Sequence, residues 1–153
     1  MTEAEQAWMR IQKYCAYQER CHQEVRTKLL LLGVKGLDLE EMIVRLIEHN
    51  FLNEERFSRA FARGKFRVKK WGKQKIVQEL KRRNISEYCI KKGLEEIEDV
   101  SYDETLLALI EKKSSHYAKL SEFDRNGKLA QYCIRKGWEP NLVWETIKSE
   151  RWK

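Results

Sequence analysis

The chain has 153 residues, 42% of them hydrophobic and 36% charged, with a formal net charge of +7. That apolar share is enough for a packed core and excludes an intrinsically disordered chain; the length fits one domain, or a few small units that share a core. No apolar stretch approaches the roughly 18 residues of a membrane span, and the polar start Met-Thr-Glu-Ala-Glu-Gln is unlike a signal peptide. The cysteines Cys15, Cys21, Cys89 and Cys133 follow no disulfide or zinc spacing. A reduced, cytoplasmic protein without metal or cofactor is therefore expected.

Seven glycines and one proline leave little punctuation for hairpins, and apolar residues recur at intervals of three and four. The first helix, near 3–19, carries Ala4, Ala7, Trp8, Ile11 and Cys15 behind a capping box, Thr2-x-x-Glu5. A second holds Val25 and Leu29. A third, near 39–50, places Leu39, Ile43, Leu46 and Ile47 on one face behind Asp38-x-x-Glu41. Asn53 caps a fourth helix, 54–68, with Phe57, Ala60 and Phe61; a fifth, about 73–83, carries Ile76, Val77 and Leu80. Ser86 caps a sixth, 86–98, and Ser101-x-x-Glu104 opens a seventh, 102–118, with Leu106, Leu109 and Ile110. An eighth contains Leu129 and Cys133, following an Asn126-Gly127 pair. The ninth, 140–151, has Pro140 in its first turn. The fold expected is all-α.

Superposing these helices reveals a repeat. Val25-x-x-x-Leu29-x-x-x-Gly33-Val34 aligns with Ile76-x-x-x-Leu80-x-x-x-Asn84-Ile85 and with Leu129-x-x-x-Cys133-x-x-x-Gly137-Trp138, at offsets of 51 and 53 residues. Gly33, Asn84 and Gly137 fall where a left-handed residue closes a helix, which favours Gly or Asn. The expected architecture is three tandem three-helix repeats, 1–51, 52–99 and 100–153, stacked into an elongated, curved array.

Charge is uneven along the chain. Arg63 to Arg83 holds ten basic residues against the single acid Glu79, leaving 21 basic and 23 acidic residues elsewhere. A solvated face normally mixes signs, so this segment points to a polyanionic partner: phosphates or an acidic protein surface. The contact residues expected are Lys65, Arg67, Lys69, Lys70, Trp71, Lys73, Lys75, Lys81, Arg82 and Arg83. With Ile76, Val77 and Leu80 buried, Lys75 and Arg82 should point away from the core on one face. Trp71, directly before Gly72, reads first as a hydrophobic staple and second as a platform for an unpaired base.

Catalysis finds no support in the sequence. His22, His49 and His116 are widely separated, adjacent Cys21 and His22 would diverge on a helix, and no phosphate loop or nucleophile motif is present. Cys15 and Cys133 fall on apolar stripes as core thiols. A binding protein is expected.

These residues carry a resemblance. Phe51-Leu52-Asn53-Glu54-Glu55-Arg56-Phe57-x-x-x-Phe61, followed by Trp71-Gly72-Lys73-x-Lys75-Ile76-x-x-Glu79-Leu80-Lys81-x-x-Asn84-Ile85, resembles the core of the RecX family. Leu129-x-x-Tyr132-Cys133-Ile134-Arg135-Lys136-Gly137-Trp138 is similar to that family's last repeat, and Glu24-Val25-x-x-Lys28-Leu29 to its first. Glu54 and Asn84 depart from the family's more frequent Asp and Gly. The resemblance implies a regulator that binds along the groove of the RecA–single-stranded DNA filament and restrains its extension, ATPase, strand exchange and coprotease activities. The partners implied are the RecA filament and single-stranded DNA, with double-stranded DNA a further candidate, for a monomer that needs no membrane. Two other readings of the residues stay open: a sequence-nonspecific DNA-binding protein, and a helical-repeat adaptor for another acidic protein.

Overall fold

The computed structural model describes residues 1–153 as nine α-helices without a strand. They are α1 (Glu3–Tyr17), α2 (His22–Leu31), α3 (Gly36–Glu48), α4 (Glu54–Gly64), α5 (Lys73–Arg82), α6 (Glu87–Leu94), α7 (Asp99–Ser114), α8 (Glu122–Arg135) and α9 (Pro140–Ser149). The protein is an all-α helical repeat, built from three triplets of helices.

One turn, used three times, makes the repeat. Gly33, Asn84 and Gly137 take φ of 86°, 59° and 97°. Each is followed by an apolar residue whose N–H reaches back along the helix just ended: Val34 to the Leu29 carbonyl at 2.9 Å, Ile85 to Leu80 at 3.1 Å, and Trp138 to Cys133 at 3.2 Å. This is the Schellman closure, and it satisfies carbonyls that the helix end would otherwise orphan. The same apolar residue then stands just before the N-cap of the next helix. Its partner is the fourth residue of that helix, giving Val34 with Leu39, Ile85 with Ile90 and Trp138 with Val143, each pair buried in one core. A single side chain thus closes one helix and staples the next.

The staple explains where two capping expectations fail. Asp38 and Ser101 do not cap; α3 and α7 begin earlier, with Lys35 and Glu98 at the N-cap. Val34 with Leu39, and Ile97 with Tyr102, are the buried staple pairs, and their burial sets the helix start. Asp38 and Ser101 are left inside the first turn. Elsewhere the side-chain caps form as expected: Thr2 accepts from Glu5, Asn53 from Arg56 and Ser86 from Cys89. Pro140 opens α9. Asn126 and Gly127 lie within α8, which starts ahead of them at Glu122, where Ser121 accepts from the Asp124 N–H. Ala4 and Ile47, counted with the apolar stripes, are exposed.

The expected 54–68 helix is broken. α4 ends at Gly64, and Lys65–Lys69 form one π-helical turn that stops at Lys70, in the left-handed conformation with φ of 60°. This wider turn puts Phe66 into the core beside Tyr102 and Trp138, at ring separations of 5.9 and 6.5 Å. Tyr102 and Trp138 stack at 4.2 Å.

The buried side chains form two clusters. Eleven, from Ala7 to Leu52, belong to α1–α3 and the strand of chain that follows. Nineteen others join α4–α9 into one core, to which the first triplet adds Cys21. All four thiols are buried and unpaired. Desolvation pushes Cys15 and Cys21 up to about 11 and Cys133 to about 12.

Candidate nucleic-acid interface

The seam between the middle and last triplets is made by backbone. The Gly72 and Gln74 N–H groups, at the start of α5, donate to the Lys136 and Gly137 carbonyls at 2.9 and 3.0 Å. Orphaned donors of one helix thereby meet orphaned acceptors of another, head to tail. Any side chain at Gly72 would collide with the backbone of Gly137 and Trp138, and one at Gly137 with Lys75. The Trp138 indole N–H donates to the Lys70 carbonyl at 3.0 Å. The Tyr102 hydroxyl accepts from the Lys73 N–H at 2.8 Å and donates to the Glu139 carboxylate.

This docking redistributes the basic segment. Lys75 does not point away from the protein. Its stem packs on Gly137 and its ammonium lies 4.6 Å from the Trp71 ring centre, because the direction opposite Ile76 faces the last triplet. Lys73 stands 4.6 Å from the Tyr102 ring and 3.8 Å from Asp99. Arg83 is bound to the Glu79 carbonyl at 2.9 Å and carboxylate at 3.3 Å, with its guanidinium 4.8 Å from Phe61. Arg82 is outward, as expected, and 3.4 Å from Glu79. Arg63 is held by Glu96. Lys65, Arg67, Lys69, Lys70, Lys75 and Lys81 have no carboxylate partner, and of these Arg67, Lys69, Lys70 and Lys81 are exposed.

Trp71 is half-buried. It meets Phe61 edge-on at 6.3 Å, and Phe61 meets Phe57 at 5.6 Å, so an aromatic spine runs from the core to the surface. Lys65 stands 5.0 Å from the Trp71 ring centre, opposite in sequence to Lys75. Trp71 occupies the position before the Gly72 N-cap, as a staple does, and packs against the larger core with Ile76.

The third triplet supplies basic residues that the sequence reading left out. Lys136, at the end of α8, is half-buried, and its ammonium is pushed below the usual lysine value. Desolvation is the largest cause, followed by repulsion from Lys75, Lys69 and Lys113. Lys113 and Lys136 lie 4.6 and 5.5 Å from one ring, Tyr132. Neither has an acidic partner. The repeat held the signal: Lys136 precedes Gly137 as Arg83 precedes Asn84.

The fold is that of a helical-repeat protein with a cationic seam between its middle and last triplets. Residues 53–94 match the family model described as RecX, second three-helix domain, and residues 101–147 match RecX, third three-helix domain. The chain belongs to the RecX family. It is 28% identical over 152 residues to the Regulatory protein RecX of Bacillus cytotoxicus and 27% to that of Bacillus cereus. Each match takes in 97% of this chain and 56% of the relative, so the chain spans about half the length of those curated relatives. Among solved structures, RecX from Lactobacillus salivarius superposes with a TM-score of 0.84 at 22% identity, over 96% of both chains. A second regulatory protein RecX gives 0.85 at 23% identity, over 97% of this chain and 74% of the other. Those two show the shared fold. No helix is long and apolar enough to cross a membrane.

Proposed function

We propose that this chain binds along the groove of the RecA–single-stranded DNA filament and inhibits its extension, ATPase, recombinase and coprotease activities, acting in the cytoplasm as a monomer. Units 1–51, 52–99 and 100–153 would follow the groove, while the basic face meets DNA. Contact falls to Lys65, Arg67, Lys69, Lys70, Lys75 and Lys81, which have no carboxylate partner, with Trp71 at their centre and Arg82 at the edge. Lys73 and Arg83 contribute charge while being held by Tyr102, Phe61 and acids. The observation that carries this reading is a row of unpaired cations on a chain of the RecX family, since such a row attracts a polyanion at long range.

The test replaces Arg67 and Lys69 on the π-turn, and Lys70 that caps it, by Glu; all three are exposed. Folding should hold, because exposed charge changes usually stay within about 0.5 kcal/mol. Lys70 serves the fold through its carbonyl, which any residue retains. Inhibition of RecA-driven ATP hydrolysis should fall about tenfold or more, with a shallower salt dependence. Unchanged inhibition would remove the basic segment from the mechanism. Tight binding to naked DNA without any effect on the filament would favour the nonspecific DNA-binding reading, and binding to neither would favour an adaptor.

A further inference from the structure

The proposed contact surface comes from one stretch of sequence, yet the structure does not end it there. At the seam, the stem of Lys75 on α5 packs on Gly137 next to Lys136, and Lys136 shares the Tyr132 ring with Lys113, which α7 brings from the last triplet. Lys69 on the π-turn adds its charge from the other side of the sequence. Lys69, Lys75 and Lys113 each repel the Lys136 ammonium, and none of the four has a carboxylate partner. Folding concentrates them regardless, because Lys75 and Lys136 sit at the two ends of the backbone contact between α5 and α8. Two half-buried rings are interleaved with the charges: Trp71 beside Lys65 and Lys75, Tyr132 beside Lys113 and Lys136.

We propose that Lys69, Lys75, Lys113 and Lys136 together bind the phosphate backbone of a single nucleic-acid strand, so that the DNA track crosses from the middle triplet onto the last. This rests on the DNA-contacting part of the function proposed above. An unpaired strand alternates phosphates with flat apolar bases, and the seam alternates ammonium groups with aromatic rings. An acidic helix would present carboxylates without that flat partner. A phosphate arriving between the lysines also relieves their mutual repulsion, which gives the strand a reason to settle here rather than on scattered surface lysines. Lys136 is the informative member. Its carbonyl is already used by Gly72, while its ammonium, half-buried and repelled on several sides, lacks a partner.

The test measures binding of the full chain to an oligothymidylate at several salt concentrations, for the parent, for Lys113→Gln with Lys136→Gln, and for Lys136→Arg. Thermal melting confirms that each variant folds. Each lost single-strand phosphate contact lowers the slope of log affinity against log salt by about 0.7, so the double variant should lose about 1.4 and bind about tenfold more weakly at low salt. Lys136→Arg keeps the charge and should restore most of the affinity. Carbon-13 resonances of dimethylated lysines supply a second readout: the Lys136 ammonium should titrate below the usual lysine value in the free protein and move upward on adding the oligonucleotide. A parent that binds while the double variant matches it in slope and affinity overturns the seam and leaves the function standing. A parent with no salt-dependent binding overturns the DNA reading itself. Equal competition by polyglutamate would assign the seam to an acidic protein and overturn the phosphate.

Discussion

The two joints between successive triplets differ more than the triplets themselves do. Between the middle and last, backbone meets backbone at Gly72 and Gly137, and Phe66, Tyr102 and Trp138 fill one core beneath. Between the first and middle, the cores are separate apart from Cys21, and the connection at the surface is Arg56. Its guanidinium reaches Glu19 at 2.5 Å, the Asn50 side chain at 3.1 Å and the Asn50 carbonyl at 2.9 Å. Repeats with the same internal turn can therefore be coupled rigidly at one boundary and loosely at the next. In such arrays stability is a sum of unit and interface contributions, so α4–α9 should unfold as one block and α1–α3 more independently.

The strongest challenge to this contrast is Trp138→Ala. The indole is fully buried, closes α8, staples α9 and donates to the Lys70 carbonyl. Its removal should cost about 3–5 kcal/mol, typical of a large buried aromatic. Hydrogen exchange should show protection falling together through α4–α9 while α1–α3 keep theirs. Equal loss in all three triplets would mean that the first joint is as firm as the second.

Glycine substitutions probe the seam more narrowly. Gly137→Ala meets both a φ of 97° and the Lys75 side chain, and Gly72→Ala meets backbone. Each should cost about 1–3 kcal/mol, through strain and loss of the two cross-seam hydrogen bonds. Gly33→Ala has the same left-handed φ but open space around it, so the φ strain should stand alone there and the loss should be smaller. The difference between Gly137 and Gly33 isolates the docking contribution from the turn itself.

Alkaline titration gives a milder effect. Burial holds the Cys133 thiol at about 12 against an ordinary 9.0, so the folded state disfavours the thiolate. Stability is thus fully present below about pH 9 and is lost as pH rises toward 12, because the unfolded chain releases that proton sooner. Chemical denaturation at pH 8 and pH 10.5 should show the decline, and Cys133→Ala should reduce it, leaving the share carried by Cys15 and Cys21, whose thiols burial also raises to about 11. Cys133 should also label slowly with a thiol reagent in the native state.

Much of this fold was legible because its signals are local. Gly33, Asn84 and Gly137 announced the repeated turn, and Asn53 and Ser86 the starts of α4 and α6, since each acts within a few residues. At the starts of α3 and α7 a buried staple overrides the polar cap that the sequence pattern favours. The seam was illegible for another reason: Gly72 touches Gly137 only after two triplets have packed. The pattern of α5 alone directs Lys75 outward, although that direction is covered by the end of α8, more than fifty residues away. The same blindness hid Lys113 and Lys136, whose charges join the basic segment in space and not in sequence.

The smallest effect expected belongs to the first joint. Arg56→Ala removes the ion pair with Glu19 and both bonds to Asn50, all near the surface. With the side chains of Arg56 and Glu19 at 37% and 30% exposure, water screens the pair, and the loss should stay below about 1 kcal/mol. The melting temperature is a poor readout for so little, but geometry is a sensitive one. Arg56 spans the chain segments before α2 and before α4, and nothing comparable replaces it, so its loss should let α1–α3 pivot as a body. Hydrogen exchange should quicken around residues 17–21 and 49–53, while the cores of both blocks keep their protection. Small-angle scattering should show a broader distribution of dimensions. If instead exchange and scattering match the parent, the few contacts made by Cys21 are enough to fix the joint, and the contrast between the two boundaries is one of degree.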